Sequence, residues 1–145
     1  MAVLAMTCAA EARSLPDLVI SEVRLAGTGT CTGRGPRIAG TVVVKNLGNA
    51  RGFIFTTRDM VAVSVRGHKR LSTGVKFVNA LRPGETQEID VRLGDGVALR
   101  GVSKVTIDVR IDPQNVFEEA SEANNQTSVE VVLACDGRRD QSRPR

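Results

Sequence analysis

Seven acidic or asparagine side chains crowd into fourteen residues late in this chain: Asp112, Asn115, Glu118, Glu119, Glu122, Asn124 and Asn125. Calcium takes six to eight hard oxygen ligands, so such a run can hold it. The candidate ligands are Asp112, Asn115, Glu118 and Glu122. The spacing is not that of an EF-hand loop. The competing reading is a long hairpin connection whose Asp and Asn side chains cap their own backbone groups. The expectation is the self-capped loop, with no cofactor, and with calcium as the alternative.

Other chemistry has less to work with. The single histidine, His68, lies in the basic stretch Arg66-Gly67-His68-Lys69-Arg70 with no nucleophile or acid beside it in sequence. A hydrolytic triad or a zinc site asks for more. Neither common Gly-rich phosphate loop occurs. Arg66, Lys69 and Arg70 could grip an anion, but a solvated turn is the expectation. Trp and Tyr are absent, which removes the stacking platforms that sugars and single-stranded nucleic acids use. No catalytic residue and no nucleic-acid partner are expected. Asn125-Gln126-Thr127 is a glycosylation sequon, read here as a coincidence.

The three cysteines are Cys8, Cys31 and Cys135. An apolar run of small residues, Ala2 to Ala10, leads to Ala10-Glu11-Ala12, the small-x-small form that a signal peptidase reads. A basic segment before the run is missing, so residues 1–12 read as a shortened export signal cleaved after Ala12, with a floppy N-terminus as the alternative. A lipid anchor at Cys8 is a weaker alternative, because Met6 and Thr7 suit it poorly. Cleavage after Ala12 would remove Cys8 and leave an even pair, which an exported chain can keep as a disulfide. The expected location is therefore secreted, periplasmic or in the cell envelope. No stretch of about 20 apolar residues exists to span a bilayer as a helix. Residues 136–145 form a polar tail with Arg138, Arg139, Arg143 and Arg145. It reads as a solvated end, with contact to an anionic envelope surface as the other use.

The elements that must position these groups are strands. The chain is 41% hydrophobic with four Phe, so its core is aliphatic, and its β-branched residues favour strands. Alternation marks seven strands near 17–25, 38–46, 59–66, 71–79, 86–93, 104–111 and 127–134. Leu18 and Ile20 share one parity, whereas Val23 and Leu25 share the other. That change of phase asks for a bulge or a strand that switches sheets. Segment 26–37 reads as a Gly- and Thr-rich loop. Arg82-Pro83-Gly84-Glu85 fits a type II turn. Seven strands with one-sided alternation and turn signals between them argue for an all-β fold of two packed antiparallel sheets.

Four stretches, in order, resemble the CARDB family, a cell-adhesion-related module found in bacteria. They are Pro16-Asp17-Leu18-Val19-Ile20, Val44-Lys45-Asn46-Leu47-Gly48-Asn49-Ala50, Leu81-Arg82-Pro83-Gly84-Glu85, and Asp112-Pro113 with Asn115-Val116 and Glu118 leading on to Glu122, Asn124 and Asn125. The resemblance covers about residues 16–133 and places the domain at 13–135. It implies an all-β, immunoglobulin-like seven-strand antiparallel sandwich and a non-catalytic role in the cell envelope; the leading expectation is then a module that meets a protein partner through loops or strand edges. It names no ligand. A calcium-stabilised adhesion module, or an accessory or inhibitor-like partner of a secreted enzyme, are the alternatives. In such a sandwich the first strand can run parallel to the last. Cys31 and Cys135 then leave from the same end, and a Cys31–Cys135 disulfide is expected.

Overall fold

The computed structural model describes residues 13–28, 35–52, 60–68, 72–75, 80–94, 99 and 101–133. The seven strands are β1 (Leu18–Thr28), β2 (Arg37–Asn46), β3 (Val61–Val65), β4 (Ser72–Val75), β5 (Thr86–Leu93), β6 (Lys104–Ile111) and β7 (Gln126–Val132). They form two antiparallel sheets, ordered β1-β2-β5 and β4-β3-β6-β7. Every strand expected from the alternation is present, and the described residues contain no α-helix.

Period-two patterning builds the core. Ile38, Val42 and Val44 of β2, Ile89, Val91 and Leu93 of β5, Val61, Val63 and Val65 of β3, and Val105, Ile107, Val109 and Ile111 of β6 are all buried between the sheets. Apart from the buried Val43, their alternate neighbours are exposed or half-buried, as in an antiparallel sheet with one covered face. The phase change in β1 is a bulge: pairing with β2 runs Ile20↔Val44 and then Glu22↔Val43. Ser21 is the extra residue, and its hydroxyl donates to Val43 O at 3.2 Å. The bulge lets Leu18 and Ile20, then Val23 and Leu25, all pack on one core.

Two expectations are corrected. β1 runs on through Ala26, Gly27 and Thr28, which pair with Ala39, Ile38 and Arg37 rather than opening the expected loop. Gly27 is small where the strand passes the end of β7: a Cβ there would lie 2.9 Å from a Leu133 methyl and 3.0 Å from Val132 O. The third strand is shorter than expected, because Met60 turns into the core and its carbonyl accepts the Asp112 N–H. The Arg82–Glu85 turn is as expected, with Glu85 N–H donating to Arg82 O at 3.0 Å and Gly84 at φ 83°. Much of the expected fourth strand, including Leu71 and Phe77, lies outside the described residues.

Candidate functional site

All four signature stretches meet at one end of the sandwich, and a buried asparagine ties three of them. Asn46 occupies an inward position at the end of β2, where the pattern otherwise places Val and Ile, and it is fully buried. Its Oδ1 accepts from Asp17 N–H at 3.1 Å and Gly48 N–H at 2.9 Å. Its Nδ2 donates to Ala50 O at 2.7 Å and Leu81 O at 2.9 Å. The Asn46 main chain adds bonds to Glu85 O and from Gly84 N–H. Every hydrogen-bonding position of the amide therefore serves a backbone group that would otherwise be buried unpaired. Gly48 completes the fit, since a Cβ there would lie 2.5 Å from Asp17 N and 2.6 Å from Pro16 C. Asn49 holds the segment that leads into β1 through Leu15 N–H, at 2.9 Å from its Oδ1.

The acidic β6–β7 connection grips the other side of the same entry segment. Glu119 is buried, and its Oε2 accepts the Leu18 N–H at 2.5 Å. Ala120 N–H donates to Pro16 O at 2.8 Å, and Asn124 Nδ2 donates to Asp17 Oδ1 at 2.9 Å. Asn125 Nδ2 joins the loop carboxylates, donating to Glu122 at 2.7 Å and to Glu119 at 3.3 Å. Burial pushes the Glu119 carboxyl up to about 7. The Leu18 N–H opposes that rise, and the charges of Glu122, Asp112 and Asp17 add to it.

Asp112, Asn115 and Glu122 come together around a cavity of about 120 Å³ shared with Asn125 and Arg110. The carboxylates of Asp112 and Glu122 already have partners. Asp112 is buried and accepts from Val116 N–H at 3.0 Å and Phe117 N–H at 2.8 Å, so it caps its own loop as expected. Asp112 and Asn115 both hold left-handed backbone, at φ 38° and 48°, and Asn115 N–H closes a turn onto Asp112 O. Glu122 accepts from Glu119 N–H as well as Asn125. Glu118 stands apart, exposed, paired with Arg13 at 2.8 Å. Among the described residues no cluster of three His, Cys, Asp or Glu side chains has the geometry of a metal site. Asn124 Oδ1 and Asn125 Oδ1 are buried without a donor. Asn125 is 7% exposed, so its sequon is closed to modification in the folded domain.

The remaining candidates are dispersed. His68 is half-buried in a turn closed by its own N–H to Val65 O. Arg66 is not a free anion grip: its Nε donates to Asp108 Oδ2 at 3.1 Å and its guanidinium also reaches Ser128 Oγ at 3.1 Å. This network lines a shallow depression of about 490 Å³ on the outer face of β3, β6 and β7. Lys69, Arg70, Cys8, Cys31, Cys135, Ala12 and the basic tail lie outside the described residues. So do the calls that rest on them, including the cleavage site and the disulfide.

Sequence reasoning missed Asn46 and Glu119 as organising residues. The signal for Asn46 was available, because it is a polar side chain in phase with the inward row Ile38, Val42, Val44. Glu119 carries no such signal, since it lies in a connection without periodicity.

The CARDB family model matches residues 15–129. No curated protein matches the chain. Among solved structures it is similar to the crystal structure of a CARDB domain from Pyrococcus furiosus in complex with di-metal ions. The identity is 20%, over 84% of this chain and 96% of that one, with a TM-score of 0.55. A solution NMR structure of the same Pyrococcus furiosus CARDB domain has 21% identity, over 83% of this chain and 97% of that one, with a TM-score of 0.48. At these identities the likeness is one of fold.

Proposed function

This chain belongs to the CARDB family, a non-enzymatic, adhesion-related domain family, and we propose that it works as a non-catalytic protein-binding module outside the cytoplasm. The observation that carries this reading is where the signature residues go. Asn46, Glu119 and Asp112 are spent on main-chain N–H and C=O groups. The motifs thus build a rigid body. What the described residues leave to solvent is strand edges, sheet faces and loops, the surfaces that strand addition and loop docking use. A pull-down from envelope extract with the full chain tests it. Reproducible capture that survives high salt and is lost on unfolding is the expected result. Turnover in a broad hydrolase and transferase screen that disappears in His68→Ala would overturn it.

Export fits the same reading. The contacts of Arg13 with Glu118, Ser14 with Asn49 and Leu15 with Asn49 all lie beyond Ala12, so cleavage after Ala12 spares them. N-terminal sequencing of secreted protein should begin at Arg13. β1 and β7 run in the same direction, and Gly27 lies against Val132 and Leu133. That common end supports a Cys31–Cys135 disulfide, which intact-mass analysis after alkylation, with and without reduction, checks.

Calcium stabilisation is the second reading. The Pyrococcus furiosus domain was crystallised with di-metal ions. The residues here do not fit a preformed cage. Asp112 and Glu122 accept protein N–H groups, Glu118 pairs with Arg13, and the cation Arg110 lines the same cavity.

A further inference from the structure

The four outer strands of a two-sheet sandwich are its routes to association, and here they differ. β1 carries the Ser21 bulge. β4 has four residues. The end of β7 lies against Gly27 of β1. β5 lacks the bulge, the proline and the shortness that blunt an edge: it runs eight residues in unbroken register with β2, and its outward charges are of both signs. Among the described residues no strand is hydrogen-bonded to its far side.

The direction of its backbone groups follows from the ladder. Glu85 O accepts the Asn46 N–H, and the β2–β5 register pairs Val44 with Gln87 and Val42 with Ile89. Alternate residues of a strand bond to opposite sides. The odd-numbered residues of β5 therefore bond to β2, and the N–H and C=O groups of Glu88, Asp90 and Arg92 point to the open edge. The same three side chains lie on the outer, solvent face. Glu88 is already paired with Arg24 at 2.5 Å. Asp90 and Arg92 are exposed and have no ion pair among the described residues.

We propose that β5 pairs antiparallel with β5 of a second copy of this chain, with Val91 on the two-fold axis and Asp90 opposite the partner's Arg92. The charge pattern selects that register. An axis at Ile89 sets Glu88 against the partner's Asp90. An axis at Asp90 sets Asp90 against Asp90 and must draw Glu88 away from Arg24 to meet the partner's Arg92, and an axis at Arg92 sets Arg92 against Arg92. With the axis at Val91, two Asp90–Arg92 pairs form, one on each side, and both are hydrogen-bonded positions of the new ladder. The two three-stranded sheets become one six-stranded sheet. This rests on the protein-binding reading above and names the partner as the chain itself, giving a homotypic contact.

The test is sedimentation equilibrium by analytical ultracentrifugation of the full chain, in reducing buffer over a wide concentration range. The wild type is expected to dimerise reversibly. Asp90→Arg and Arg92→Asp each turn two attractive pairs into two repulsive ones and should weaken the dimer by roughly tenfold or more. The double variant Asp90→Arg/Arg92→Asp restores both pairs and should recover most of the affinity. Circular dichroism confirms that all three remain folded. A monomer at every concentration overturns the proposal, as does a dimer that the swaps leave unchanged. A monomer that still captures an envelope protein overturns self-pairing alone, whereas a monomer that captures nothing removes the protein-binding reading as well.

Discussion

Two polar networks hold this sandwich together across its strands, and they differ in burial. At the end where β1 enters, the buried side chains of Asn46 and Glu119 serve the main chain of Asp17, Gly48, Ala50, Leu81 and Leu18 at buried or half-buried positions. On the outer face of the second sheet, Arg66, Asp108 and Ser128 join β3, β6 and β7 by comparable bonds in open solvent. The bonds look alike, but their consequences do not. Removing a buried partner leaves backbone groups desolvated and unpaired, at about 1–3 kcal/mol each, whereas an exposed group turns to water. Charge amplifies the contrast. Burial raises the pKa of Glu119, whereas the Arg66 and Ser128 hydrogen bonds lower that of Asp108.

The largest effect should come from Asn46→Ala. It strands two N–H and two C=O groups at the junction of three signature stretches. A destabilisation of about 4 kcal/mol is expected by urea unfolding, large for a single substitution. A cost below about 1 kcal/mol would mean that water replaces the amide and that the end is wet.

Glu119 should give the next largest effect, and its sign is unusual for a carboxylate. The group titrates near 4.5 when unfolded and near 7 when folded. Folding therefore takes up a proton in that window. The stabilisation is fully present below about 4.5 and is lost as pH rises through 7. The wild type should gain up to about 3 kcal/mol from pH 8 to pH 5 through this group. In Glu119→Gln, which keeps an acceptor for Leu18 N–H without the charge, that slope should flatten. Melting curves at both pH values decide it: equal slopes in the two proteins would place the titration elsewhere.

How much of this contrast could be read in advance depends on periodicity. Strands announce themselves by alternation, so β2, β5, β6 and even the slip of phase at Ser21 were legible residue by residue. The turn at Arg82–Glu85 was legible because Pro and Gly restrict φ in opposite ways. The ligands of the loop were legible only as composition. Asp112, Asn115 and Glu122 do meet around one cavity, but whether an oxygen faces a cation or a neighbouring N–H is set by the path of the loop. That path depends on left-handed turns at Asp112 and Asn115 and on the distant docking of Glu119 onto Leu18. Calcium therefore sharpens the comparison. Because Asp112 and Glu122 already accept N–H groups, excess calcium followed by chelator should move Tm by no more than about 2 °C. A stabilisation of about 2.7 kcal/mol, as a site filled at 100 times its dissociation constant gives, would show that the loop reopens to bind metal.

The smallest effect should come from the exposed network. Arg66→Ala breaks the contacts with both Asp108 and Ser128, yet its neighbours are free to turn to water. Ser128 Oγ also donates to Asp108, at 2.7 Å, a bond that does not depend on the arginine. The Coulomb part is screened by salt, and an exposed ion pair adds little to begin with. Tm should therefore fall by no more than about 3 °C at low ionic strength, and by less in 0.5 M salt, where wild type and variant converge. If the loss instead matched that of Asn46→Ala and ignored salt, burial would not be what separates the two networks. The outer face of β3, β6 and β7 would then have to be counted as part of the packed structure rather than as its surface.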